Sequence, residues 1–178
     1  MKTKFALFTL LLAGILLFTR CEDALDVTES FTYETEFVVS SDNATYSNTQ
    51  LIDMASEVDL IAEYGDKIKD IQIEEVKYWL TAFNGSETQK IVVSTLNVAD
   101  ENGADPVNIA TVQDQLLQPL LNTPTPLTVN AAGVDKLANL IQNSPYKFQL
   151  SFNNEANEAP LNFTVKFSFT IKMTANPL

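Results

Sequence analysis

Two segments near the C-terminal end alternate apolar and polar residues without a break. Tyr146, Phe148, Leu150 and Phe152 alternate with Lys147, Gln149 and Ser151. Further on, Leu161, Phe163, Val165, Phe167, Phe169, Ile171 and Met173 alternate with Asn162, Thr164, Lys166, Ser168, Thr170 and Lys172. Successive side chains of a strand point to opposite faces, so period two sustained over this length predicts half-buried strands rather than helices. A polar face on each strand predicts antiparallel sheet, because parallel sheets are covered on both sides and read as continuous apolar runs.

The rest of the chain agrees with that reading. Phe31, Tyr33, Phe37 and Val39 share one parity, with Glu34 and Glu36 opposite, as in a half-buried strand over residues 31–40. Residues 41–49 are turn-rich, and residues 50–54 are expected as a short strand. Ser56 is placed to cap a helix carrying Val58, Ile61 and Ala62, with Gly65 near its end. Residues 68–83 read as a strand whose phase slips: Ile71 and Ile73 set one parity, whereas Val76, Tyr78, Leu80 and Ala82 set the other. A bulge at Glu74 and Glu75 reconciles them by adding one residue. Asn84-Gly85 predicts a hairpin turn with residues 88–98 returning. Residues 99–106 form a loop. Thr111 is placed to cap a short helix with Val112, Leu116, Leu117, Leu120 and Leu121 on one side, limited by Pro119. Residues 126–129 are extended, and Asn130 caps another helix with Val134, Leu137, Ala138 and Ile141 in a stripe. There is no βαβ rhythm with a glycine-rich turn and no internal repeat. The expected fold is mostly β: an antiparallel β-sandwich with two or three short helices in the connections.

The 178 residues, 46% apolar and 10% aromatic, are a globular composition of one-domain size. The domain is expected over residues 31–178, long enough to bury roughly 70% of its unfolded surface without disulfides or metals. Of 11 basic residues, three (Lys2, Lys4 and Arg20) precede Cys21, which leaves eight lysines against 23 acids, a net of −15. Nucleic acid is bound mainly by Lys/Arg–phosphate pairing, so a nucleic-acid partner is not expected. The chain has no histidine and one cysteine. This removes Ser-His-Asp and Cys-His catalysis, His-ligated zinc and any internal disulfide.

The position of that cysteine is informative. Lys2 and Lys4 precede an uncharged apolar run of 14 residues, 5–18, and Cys21 follows three residues later. A spanning helix needs about 20 apolar residues, so this run fits a signal-peptide core. Residues 1–20 resemble a bacterial lipoprotein signal peptide, in which a four-residue box ends in a cysteine lipidated on sulfur. Cys21 matches the lipidated position, and Phe18 and Thr19 fit the box. Arg20 departs from it, since that position normally holds Gly, Ala or Ser. Plain secretion and an uncleaved anchor are the other readings. The resemblance implies a membrane partner through a lipid anchor and a place in the cell envelope, at the outer membrane. Glu22, Asp23, Asp26 and Glu29 make residues 21–30 an acidic tether, and they also resemble the export signals of surface lipoproteins in Bacteroidetes-type bacteria. In layout, the mature part is similar to small β-sandwich lipoproteins of the same bacteria, a resemblance that brings no catalytic residues with it.

Three other features bear on function. Asp100, Glu101, Asn102 and Asp105 crowd one loop around Gly103. Calcium favours such oxygens, but the EF-hand spacing fails, because Val98 and Ile109 fall on ligand positions; a solvated turn is expected, and no metal or cofactor. Glu74 and Glu75 are adjacent, and neighbours on a regular strand face opposite ways, so they do not form a convergent acid–base pair. Trp79 shares the polar parity with Lys77 and Thr81, and is either covered by a helix or exposed as a binding aromatic. These features point away from an enzyme. They point to a non-catalytic envelope lipoprotein that binds or supports another macromolecule, an envelope protein, with a surface glycan-binding accessory as the alternative.

Overall fold

The computed structural model describes residues 26–176. Eight strands form two four-stranded antiparallel sheets. They are β1 (Val27–Ser41), β2 (Thr45–Asp53), β3 (Ile68–Phe83), β4 (Lys90–Asp100), β5 (Val107–Leu116), β6 (Thr125–Pro126), β7 (Lys147–Ala156) and β8 (Leu161–Ala175). The first sheet runs β1-β8-β3-β6 and the second β2-β7-β4-β5. First pairs with last, second with seventh, third with sixth and fourth with fifth, in alternating sheets. The chain thus behaves as one long folded-over ribbon wound around the core, the jelly-roll form of a β-sandwich. Three short helices lie in the connections: α1 (Met54–Glu57), α2 (Asp59–Tyr64) and α3 (Ala131–Gln142).

The alternation places the core. On β8, Phe163, Val165, Phe167, Phe169, Ile171 and Met173 are all buried, and β8 pairs on both sides, with β1 and with β3. Phe37, Phe152 and Phe167 meet across the sandwich with ring centroids 5.5–6.0 Å apart, in the tilted and edge-on arrangements that aromatic quadrupoles favour. The phase slip in β3 is a true irregularity, since the register with β8 shifts between Ile73 and Glu75.

Both long edges of the sandwich are closed by side chains or helix. At one, Tyr46 and Gln50 of β2 donate hydrogen bonds to the carbonyls of Val38 and Glu36 of β1, at 2.8 and 2.6 Å, which blunts an otherwise free strand edge. At the other, α3 sends Leu137 and Ile141 into the gap between sheets, against Phe148, Leu150 and Phe169. Its Asn130 cap accepts from the Ala132 amide at 3.1 Å. Gly133 makes the docking possible, because a Cβ there would overlap the Asn108 carbonyl of β5. Three tyrosines tie the α1–α2 connection to the end of the sandwich. Tyr33 donates to Glu57 at 2.9 Å, Tyr64 to Glu29 at 3.4 Å and Tyr146 to Asp66 at 2.7 Å.

Several local expectations are corrected. β1 begins at Val27, inside the segment expected as tether, because Val27 pairs with Ala175. Residues 45–49 are strand rather than turn, paired with β7. Ser56 is not a cap; Asp53 is, accepting the Ser56 amide at 3.3 Å. Asn84-Gly85 makes no hairpin, since β3 and β4 lie in different sheets and neither residue has the positive φ of a type I′ turn. A Cβ at Gly85 would meet the side chains of Gln89 and Phe83. Gln89 is 1% exposed and anchors the crossing by donating to the carbonyls of Glu158 and Pro160. The helix expected from Thr111 is strand β5 followed by a 3-10 turn at Gln118–Leu120. The apolar positions 112, 116, 117 and 120 fit either period, and the free edge of β4 selects the strand.

Candidate functional site

The alternation that fills the core also builds an outer face on β1, β8 and β3. Register sets its rows: Thr32–Thr170–Glu75, Glu34–Ser168–Lys77 and Glu36–Lys166–Trp79. Trp79 is half-buried, and the Lys166 ammonium lies 5.8 Å from its ring centre, within cation–π range. The same ammonium contacts Glu34 and Glu36, each at 3.2 Å. Hydrogen bonding to Glu34 first and Glu36 second raises the Lys166 pKa, so this lysine is charged at any physiological pH. Lys77 pairs with Glu75 at 2.6 Å. The result is a face of alternating charge that includes one indole, and its elements are strands on a packed core, which makes it rigid.

Trp79 is therefore not covered in the way a helix would cover it. The apolar stripe of α3 enters the gap between the sheets, whereas Trp79 points outward with Lys77. Among the residues of β1, β3 and β8 that share this face, Trp79 is the one aromatic. Cys21 lies outside the described residues. Glu75 sits at the β3 irregularity and is engaged by Lys77, while Glu74 is exposed. In the 101–106 loop, the Asp100 carboxylate closes the turn by accepting the amides of Asn102 and Ala104 at 2.9 and 2.8 Å. Among the described residues there is no group of three or more His, Cys, Asp or Glu placed to hold a metal ion, and no helix long and apolar enough to cross a membrane. Sequence reasoning missed Lys166, Glu34 and Glu36 as neighbours of Trp79. Their polar parity was visible, but the pairing joins residues far apart in the chain, 132 positions for Glu34 and Lys166.

Fold and face define a rigid antiparallel β-sandwich module with a mixed-charge outer surface. No protein-family model matches the chain, and no curated protein matches it. Solved structures similar to it include one from turnip yellow mosaic virus, at 11% identity over 85% of this chain and 95% of that one, with a TM-score of 0.39. A decameric BFDV capsid protein follows at 8% identity, covering 83% and 99%, with a TM-score of 0.38. One from tobacco necrosis virus has 9% identity, 85% and 98% coverage and a TM-score of 0.32. At these scores the likenesses carry no argument about what this chain does.

Proposed function

We propose that this chain is a non-catalytic lipoprotein of the bacterial cell envelope, held at the outer membrane by a lipid on Cys21, whose sandwich domain binds or supports another envelope macromolecule. The basic head, the 14-residue apolar run and the lone cysteine support the anchor. The observation that carries the binding role is the outward-facing, partly exposed Trp79 in register with Lys166 and Glu36. Indole and paired charges on a rigid sheet are the anchor-and-rim composition of protein interfaces. A surface glycan-binding accessory is the second reading, favoured by the partly open indole. A lone ring without a second aromatic beside it suits a protein partner better than sugar stacking at this face.

Membrane fractionation with metabolic lipid labelling tests the anchor. Cys21→Ala is expected to abolish label and release or mislocalise the protein. A wild type that stays at the membrane without label would sink the lipid anchor. Arg20→Gly is expected to speed processing, because it restores a small residue beside the cleavage point. Crosslinking of intact cells followed by pull-down, compared between wild type and Trp79→Ala, tests the partner; equal recovery of every crosslinked species from both would remove Trp79 from the interface.

A further inference from the structure

The outer face of the second sheet differs from the first in chemistry. Its register rows are Thr45–Glu155–Val93–Gln113, Ser47–Asn153–Thr95–Thr111 and Thr49–Ser151–Asn97–Asn108. Glu155 is the one charged residue of these twelve, in a chain with 23 acids. A shallow depression of about 280 Å³ lies here, lined by Thr45, Tyr46, Val93, Thr95, Asn153 and Glu155 among others.

The polar groups of this face are already oriented. Ser47 donates to Asn153 Oδ1 at 2.6 Å. The amides of Asn153 and Asn97 both donate to Thr95 Oγ1, at 3.3 and 3.2 Å. A hydroxyl has two acceptor sites and one proton, so Thr95 has its acceptor capacity filled from within the fold and keeps a proton to donate outward. One row away, Glu155 is exposed and offers a carboxylate acceptor. Val93 pairs directly with Glu155 and presents methyl groups between these two polar groups.

We infer that this depression is a binding site for a neutral saccharide. A donor and an acceptor flanking a small apolar floor match vicinal hydroxyls on the carbon face of a sugar ring. No cationic side chain lines the depression, so an anionic ligand would meet only the carboxylate of Glu155 and the negative field of the chain. A divalent cation would find one carboxylate where six to eight oxygens are needed. The site gives the glycan reading a location of its own and stands whether or not the Trp79 face holds a partner.

Affinity electrophoresis of the full chain in detergent, through native gels containing a neutral glucan, mannan or xylan, tests it, with polygalacturonate as the acidic control. At least one neutral polysaccharide is expected to retard the protein, and polygalacturonate is not. Thr95→Val and, separately, Glu155→Gln are expected to weaken the retardation at least tenfold, and Trp79→Ala to leave it unchanged. Glu155→Gln changes one exposed group without loss of volume, and an unchanged thermal midpoint shows that the fold is intact. Absence of retardation by all three neutral polysaccharides overturns the site, as does stronger retardation by polygalacturonate. Retardation that survives both Thr95→Val and Glu155→Gln, or that is lost in Trp79→Ala, also overturns it.

Discussion

The two sheets solve the same problem differently. Each buries one face, but the β1-β8-β3 sheet turns charged residues and an indole outward, whereas the β2-β7-β4-β5 sheet turns hydroxyls and amides outward. Both inner faces carry buried polar groups: Thr35 of β1 in the first sheet, Ser94 and Asn154 in the second. Ser94 donates to the Asn153 carbonyl at 3.1 Å. Asn154 is 4% exposed, and neither its Oδ1 nor its Nδ2 has a hydrogen-bond partner. Identical strand periodicity therefore leaves the chemistry of each outer surface free, alternating in charge on one sheet and rich in hydroxyls and amides on the other.

The largest effect separates inner from outer faces. Phe169 is 1% exposed on β8, and Phe169→Ala is expected to destabilise by about 3–5 kcal/mol through lost burial and a residual cavity. The adjacent Thr170→Ala, on the outer face, is expected to cost at most about 0.5 kcal/mol. Denaturant unfolding measures both, and equal costs would break the assignment of faces. Next comes the inner face of the second sheet. Asn154→Leu replaces two unpartnered polar atoms with methyl groups in the same branched shape and is expected to stabilise by about 1 kcal/mol, the relief of the polar atoms exceeding the cost of the bulkier side chain. A fall in the denaturation midpoint would show that the amide is engaged.

On the charged face, Trp79→Ala is expected to cost about 1–2 kcal/mol, from the cation–π contact together with the partial burial of the indole. A loss as large as that of Phe169→Ala would make Trp79 a core residue and undo the face. Lys166→Met is expected to cost about 0–1 kcal/mol, since its carboxylate pairs are solvent-exposed. That cost is expected to shrink in about 0.5 M salt as surface charges are screened, whereas the effect of Thr95→Val on the neutral face should not respond to salt. Matching salt responses would erase the electrostatic difference between the sheets.

The smallest effect at neutral pH appears only in alkali. The hydrogen bond to Asp66 pushes Tyr146 up to about 12, and Tyr33 is raised further, by burial first and by Glu57 second. A raised folded pKa means that the protonated phenol is favoured in the fold. Stability from these groups is therefore complete below the unfolded value of about 10 and lost as pH rises through the folded values. Lys166 has the same sign. Phenolate absorbance recorded alongside unfolding is expected to show Tyr146 ionising late in the folded state. Ionisation of all tyrosines at about pH 10 without unfolding would refute the carboxylate clamps.

The fold class, the burial of β8 and the β3 irregularity were legible because strand alternation is local and survives without knowledge of partners. The sequence by itself also determined which residues of 147–152 and 161–173 face inward, whereas Tyr146, read as part of the same alternation, lies before the strand with a positive φ. Tertiary structure alone decided the rest. Whether residues 111–116 became helix or strand depended on the free edge of β4, a long-range term that outweighs weak local propensity. Whether Asn84-Gly85 closed a hairpin depended on the sheet that β4 joined. The composition of each outer face depended on register between strands far apart in the chain, which aligned Glu36 with Lys166 and Trp79 on one side and Ser47 with Asn153 and Thr95 on the other. Alternation states that a residue points outward. Only the pairing of strands, fixed by packing of the shared core, states which residues it meets there.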